Sequence, residues 1–332
     1  MKKFLALVVV VVLVAAAAAL SWAKWRYENA PLATPGSPVR VVIERGASLR
    51  SAGRRLREAG VDTPDWALAI VGRLVPEASR IHAGTYQVTS PITLKALVEQ
   101  LMRGDVLTSE IRFIEGWTFR QMRAAISANA DLAQEAAGLD ESALLAAIGA
   151  TEARAEGLFF PSTYHFAVGA SDLEIYRAAY RKMQEVLQAA WQARDASVPL
   201  ASPYEALVLA SIVEKETGVE SDRVMVAGVF TNRLRINMML QSDPTTIYGL
   251  GDSFDGNLRR RDLATDTPWN TYTRKGLPPT PIALPGAASI NAVLHPASTP
   301  ALYFVARGDG SSEFSETLAA HERAVRKFQL KR

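Results

Sequence analysis

Seventeen apolar residues in a row, Phe4 to Leu20, follow Lys2 and Lys3 at the start of the chain, and Ser21, Trp22 and Ala23 extend the run to twenty. A helix of that length crosses a hydrocarbon core of roughly 30 Å. Trp22, Trp25 and Tyr27 cluster where an aromatic belt meets the headgroups. A cleaved signal peptide is the competing reading, with Ser21-Trp22-Ala23 as a small–x–small cleavage site. The run is long for the apolar region of a signal peptide, so an uncleaved single-pass anchor is preferred. Lys24 and Arg26 offset the two leading lysines, so charge specifies orientation only weakly. Either way, the body that follows is expected to be exported.

That body has about 300 residues, enough for two domains with cores of their own. The absence of cysteine excludes a disulfide framework and a thiol nucleophile. The four histidines, His82, His165, His295 and His321, are far apart in sequence and lack metal-ligand spacing. A net charge of +3, spread along the chain, supplies no basic stripe for nucleic acid.

The pattern along the chain is α+β. Glu28 to Pro38 reads as a linker, punctuated by Pro31, Pro35, Gly36 and Pro38. Strands are expected at Val39 to Glu44, Gly84 to Val88 and Ile111 to Ile114. Ser48 caps a helix to about Ala59, a second helix follows Thr63-Pro64, and Thr93 starts a third that ends near Gly104. The sequence Gly46-Ala47-Ser48-Leu49 is echoed by Gly116-Trp117-Thr118-Phe119, in each case a turn and a cap before a helix. Gly157 to Phe166 is aromatic and proline-centred, which suggests a loop or short strand. Helices are expected at Leu173 to Ala193, Pro203 to Thr217, Arg223 to Arg235 and Glu316 to Phe328, with a strand at Leu302 to Ala306. Between them, Gln241 to Gly286 reads as a long irregular stretch, rich in Asn, Thr, Tyr and Trp and therefore more functional than disordered.

The helix from Pro203 carries the chemistry. Ser202 is its N-cap, Pro203 its first residue, Glu205 completes a capping box, and Gly218 is the expected stop. Its end, LASIVEKETG from Leu209 to Gly218, closes an almost wholly apolar run on two acids, Glu214 and Glu216. Burial disfavours the charged form, so an acid there stays protonated to higher pH, as a general acid must. At about 100° per residue, Glu216 shares a stripe with Leu209 and Ile212, and Glu214 lies over Leu207 and Ala210. Both stripes are apolar, so periodicity does not choose between the acids, and solvation in a fraying last turn is the alternative for either.

Four blocks together, LASIVEKETG, VFTNRLRINMMLQSDPTTIYGLG, WNTYTRKGLPPTPIALPG and HPASTPALYFVARGDGSSEF, resemble the signature segments of the endolytic murein transglycosylases, the YceG-like family. The resemblance covers nearly everything after the linker. It implies a cytoplasmic tip and anchor at 1–27, the linker at 28–38, a small LysM-like α/β domain at 39–110 and an α+β catalytic domain at 111–332. It places the chain in the inner membrane, its catalytic body on the periplasmic side. The implied substrate is peptidoglycan glycan, with peptidoglycan synthases as candidate partners and neither cofactor nor metal. The family's catalytic acid maps onto Glu216, leaving Glu214 as a structural or secondary carboxylate. Gln241, Asn270 and Tyr272 are candidates to hydrogen-bond the sugars, and Tyr248 and Trp269 to stack on them. Asp243, before Pro244, reads as a turn or cap residue. A departure falls at Glu313, near which many relatives carry histidine. A lysozyme-type hydrolase using Asp243 or Glu214 as second carboxylate, and a non-catalytic wall-binding scaffold, are the other functional classes.

Overall fold

The structure is a computed structural model that describes residues 2–36, 38–63, 65–74 and 81–330. Pro64 and Ser37, which belong to expected elements above, lie outside the described residues. The chain forms two compact units, Met1–Ser109 with His165–Ala170, and Glu110–Tyr164 with Ser171–Arg332. The return of His165–Ala170 to the first unit was not foreseen from the sequence.

In the first unit, the apolar stretch of α1 (Lys2–Asn29) is unburied, with Phe4 73% exposed, and only near its end does Tyr27 pack against the core. Its span Lys3–Asn29 is long and apolar enough to cross a membrane. β1 (Val39–Ile43), α2 (Leu49–Glu58), α3 (Asp65–Leu74), β2 (Gly84–Val88), α4 (Leu94–Arg103) and β3 (Thr108–Arg112) follow. β1 and β2 pair antiparallel from Val39↔Val88 to Ile43↔Gly84. Strand alternation sends Val41, Ile43, Tyr86 and Val88 inward, where Leu56, Leu68, Leu97 and Leu101 of the helices meet them. The expected linker is partly fastened to this body. Leu32 N–H donates to the Ile92 carbonyl and Asp62 N–H to that of Ala33.

The second unit contains α5 (Phe119–Ser127), β4 (Leu132–Ala133), α6 (Glu141–Ile148), the start of β5 (Thr163–Ala167), the end of β6 (Ala170–Ser171), α7 (Asp172–Gln192), α8 (Pro203–Glu216) and α9 (Glu220–Arg235). Then come α10 (Asp243–Leu250), α11 (Arg260–Ala264), α12 (Ala287–Leu294), β7 (Tyr303–Ala306), β8 (Ser312–Ser315) and α13 (Leu318–Phe328). β3 pairs with β5 and β4 with β6, whereas β7 and β8 form an antiparallel hairpin. The echoed turns are both present: Gly46 and Gly116 take φ of 79° and 78°, and Ser48 and Thr118 cap α2 and α5. α6, capped by Asp140, was not expected.

α8 is the central helix of this unit, with every residue from Ala206 to Val213 buried among α7, α9, α10 and α12. A helix that is apolar all round has nowhere else to go. Ser202 Oγ accepts the Glu205 N–H at its start, as expected. Its end is different. Gly218 is not a left-handed stop; Thr217 turns extended (φ −147°, ψ 134°), and its hydroxyl accepts the Val219 N–H at 3.0 Å. The helix thus ends on Glu216. The segment Gln241 to Gly286 is also less irregular than expected, since it holds α10, a 3-10 turn at Gly251–Ser253 and α11.

Candidate active site

Glu216 sits on the last residue of α8, partly buried, and the segment before α10 closes over it. Ser242 Oγ donates to Glu216 Oε1 at 2.5 Å. Ser242 is itself held in place, 1% exposed, with its N–H donating to Thr271 Oγ1 at 3.0 Å. Burial pushes the Glu216 carboxyl up to about 7; the Ser242 hydrogen bond and the Arg233 charge pull it down, and the Asp243 charge pushes it up. Near neutrality the acid is therefore poised between a proton donor and a proton acceptor.

Tyr272 and Asp243 are neighbours of this acid. The Tyr272 hydroxyl donates to Asp243 Oδ1 at 2.6 Å. Burial, that hydrogen bond and the Asp243 and Glu216 charges raise the phenol, so it stays protonated. Asp243 is the first residue of α10, before Pro244, at the helix start expected of it, and its carboxylate in addition accepts from tyrosine.

Glu214 points elsewhere. Its Oε2 accepts the Gly286 N–H at 2.9 Å and the Ser289 hydroxyl at 2.7 Å, so its carboxylate caps the N-terminus of α12. The Glu115 carboxyl lies against Gly286 in the same place and is raised by burial and by the Glu214 charge. A helix packed on all sides allows two acids, two residues apart, to serve different partners.

The remaining expected sugar contacts separate. Gln241 is exposed beside Ser242, with φ of 50° and its N–H bonded to the Thr271 carbonyl at 3.1 Å. Asn270 is 0% exposed; its amide donates to the carbonyls of Leu263 (3.0 Å) and Thr265 (2.7 Å), and its Oδ1 accepts from Thr246 Oγ1 and the Tyr272 N–H. The polar atoms of Asn270 are thus engaged inside the protein, in the loop that carries Tyr272. Tyr248 is likewise engaged inward. Its hydroxyl donates to Glu156 Oε2 at 3.2 Å, and its ring meets Trp269 edge-on at 5.4 Å. Trp269 Nε1 in turn donates to Thr280 Oγ1 at 2.9 Å.

Ser242, Arg233 and Glu156 were not singled out in the sequence. Glu156, 7% exposed, accepts the Phe119 N–H at 2.8 Å, and burial pushes it up to about 7. Only its place just before the aromatic Gly157–Phe166 segment hinted at a buried acid. Glu313, the position of the departure, pairs with Arg307 on the β7–β8 hairpin. Among the described residues, no group of three or more His, Cys, Asp or Glu is placed to hold a metal.

The YceG-like family matches residues 41–327 of the chain. An endolytic murein transglycosylase of Bacillus subtilis (strain 168) is 32% identical over 269 residues, covering 76% of this chain and 74% of its own length. One from Streptococcus pneumoniae (strain R6) is 25% identical over 323 residues, covering 86% of this chain; the chain spans 58% of that relative. A crystal structure from Listeria monocytogenes, described as yceG-like, is 25% identical with a TM-score of 0.53, over 86% of this chain and 98% of the other.

Proposed function

The chain belongs to the YceG-like family, and from that premise we propose that it is a membrane-anchored endolytic lytic transglycosylase with Glu216 as its catalytic acid. It cleaves MurNAc–GlcNAc bonds within nascent peptidoglycan strands, leaves 1,6-anhydro-MurNAc ends, and so terminates glycan elongation. The observation that carries the reading is a single carboxyl at the end of α8, held near pH 7 by burial and fixed by Ser242.

The chemistry needs one proton carrier. Glu216 donates its proton to the glycosidic oxygen as the bond to muramoyl C1 breaks, which leaves an oxocarbenium-like sugar. The same carboxylate then takes the proton of the 6-hydroxyl as O6 bonds to C1 and closes the anhydro ring. Intramolecular attack replaces a positioned water, and its effective molarity can be very large. Tyr272 and Gln241 border the acid and are the side chains proposed to hold the muramoyl ring. The first unit fits the role of a LysM-like wall-binding module, and α1 that of an uncleaved inner-membrane anchor with the body in the periplasm. The other chemistry that this neighbourhood could support is hydrolysis, with Asp243 directing water.

Glu216→Gln tests the reading. It keeps volume and the Ser242 partner but cannot carry a proton, so strand cleavage should fall by about 10²–10⁴-fold in a folded protein. Glu214→Gln should leave cleavage within a few-fold. Near wild-type cleavage by Glu216→Gln would remove the assignment, and loss confined to Glu214→Gln would transfer it.

A further inference from the structure

A buried cation, with no carboxylate bonded to it among the described residues, acts on the Glu216 charge. Arg233, in the last turn of α9, is 6% exposed, and its hydrogen bonds run to main-chain carbonyls. Nε donates to Leu302 at 2.7 Å, and Nη1 to Leu240 at 2.6 Å and Met239 at 3.5 Å. Its guanidinium lies 5.3 Å from the centre of the Tyr303 ring. Burying an unpaired charge is costly, so its presence asks for a reason. After burial, the groups that act on it are the Tyr303 and Tyr272 hydroxyls and then, as the one carboxyl among the described residues, Glu216.

The main chain that Arg233 grips is the segment that delivers Ser242. It doubles back from α9 through two non-glycine residues in the left-handed region, Asn237 (φ 54°) and Gln241 (φ 50°). Such conformations cost on the order of 1 kcal/mol each and persist only where the surroundings over-determine them. Met238 N–H donates to the Arg233 carbonyl at 2.8 Å, and the Arg233 side chain takes the next two carbonyls, at Met239 and Leu240. One arginine thus secures both ends of the turn.

We propose that Arg233 is the positioning residue of the Glu216 site: its fork clamps the turn that carries Ser242, and its charge offsets the carboxylate that Glu216 becomes once its proton has left. The proposal rests on the reading of Glu216 as the acid. A planar fork suits this double duty, because lysine supplies the charge but not the fixed set of parallel donors.

The groups facing the pair are few. Ser242 and Asp243 face Glu216 at the start of α10, and Tyr272 from the loop after α11. Tyr303 of β7 lies under Arg233, and His321 of α13 stacks on Tyr303 at 5.3 Å. Burial and the Arg233 charge hold His321 below its ordinary value, against the raising charge of Glu322. Of the groups facing the pair, Glu216 is the carboxyl raised to about 7, so the alkaline limb of the pH–rate profile is read as its titration; Glu156, raised alike, bonds Phe119 and Tyr248 instead.

The test measures cleavage of uncrosslinked glycan by the full chain in detergent, as kcat and KM across pH, for wild type, Arg233→Met, Arg233→Lys and Glu216→Gln. Removing the positive charge raises the Glu216 carboxyl, so in Arg233→Met the alkaline limb should move up by roughly half a pH unit or more. Its kcat should fall at least about 10-fold with KM nearly unchanged. Arg233→Lys should keep the limb in place but lose kcat, again by about 10-fold, because the clamp is gone. An unmoved limb in Arg233→Met overturns the proposal whatever happens to the rate, since a purely structural role would not shift it. Should Arg233→Met not fold, Arg233→Lys decides: a wild-type rate, or a limb that moves up, overturns it. Full activity in Glu216→Gln would instead remove the underlying reading. An inactive Glu216→Gln beside Arg233 variants that behave like wild type removes this proposal alone.

Discussion

Replacing the acid by its amide should make the protein more stable, and only at the pH where the acid would be charged. Glu216 has its carboxyl raised from 4.5 to about 7, chiefly by burial. For an acid raised in the folded state, the stability is complete below the unfolded value and is lost as pH rises toward and through the folded one. A rise of about 2.5 pH units, at about 1.4 kcal/mol per unit, makes the ionised Glu216 cost roughly 3 kcal/mol above pH 7. Glu216→Gln removes that titration and keeps an oxygen for Ser242 to donate to. It should therefore match wild type within about 1 kcal/mol at pH 4.5, and exceed it by roughly 3 kcal/mol at pH 8. For a unit of this size, such a gain raises the melting temperature by roughly 6–12 °C. Glu156, with a similar rise, is present in both proteins and cancels in the comparison. Thermal melts of the full chain in detergent at both pH values, followed by circular dichroism, measure it. A constant offset between the two proteins would refute the claim that burial of a chargeable Glu216 is what the site sustains at the expense of stability.

Gly157→Ala should lower the melting temperature by several degrees in the same assay, because the added Cβ would lie 2.4 Å from Pro281 Cβ at a φ of +80°. Tyr272→Ala opens the side of the acid that Tyr272 and Asp243 close. It should raise the hydrolysed fraction of whatever cleavage survives, read by mass spectrometry of the products; an unchanged ratio would count against a water-excluding role. The membrane-bound protein should retain Phe4 to Ala23, and a mature N-terminus near Lys24, found by terminal sequencing, would reject the anchor.

Local chemistry was legible in the sequence wherever one segment determined its own structure. The caps Ser48, Thr93, Thr118 and Ser202 start the helices they were expected to start. The apolar circumference of α8 made it the buried helix of its unit. Periodicity could not separate Glu214 from Glu216, because both faces of α8 are packed. What separates them comes from far along the chain: Gly286 and Ser289 for one, Ser242 for the other. The inward bonding of Asn270 was not visible for a related reason. A polar residue in an unpatterned stretch looks the same whether it awaits a ligand or holds its own loop, and only its partners decide. Arg233 and Ser242 were illegible because their alignment depends on the left-handed residues Asn237 and Gln241, a conformation that asparagine favours only weakly and glutamine rarely adopts.

The nucleophile is the most direct test of the account, and the product ends record it. Uncrosslinked glycan strands digested by the full chain in ¹⁸O-labelled water, then read by mass spectrometry, distinguish the two possible attackers on muramoyl C1. If the 6-hydroxyl attacks while Glu216 carries the proton, the strands are cut internally, the new ends are 1,6-anhydro-MurNAc, and they contain no label. New ends that are predominantly reducing and carry ¹⁸O would mean that water is the nucleophile, and the enzyme would be a muramidase.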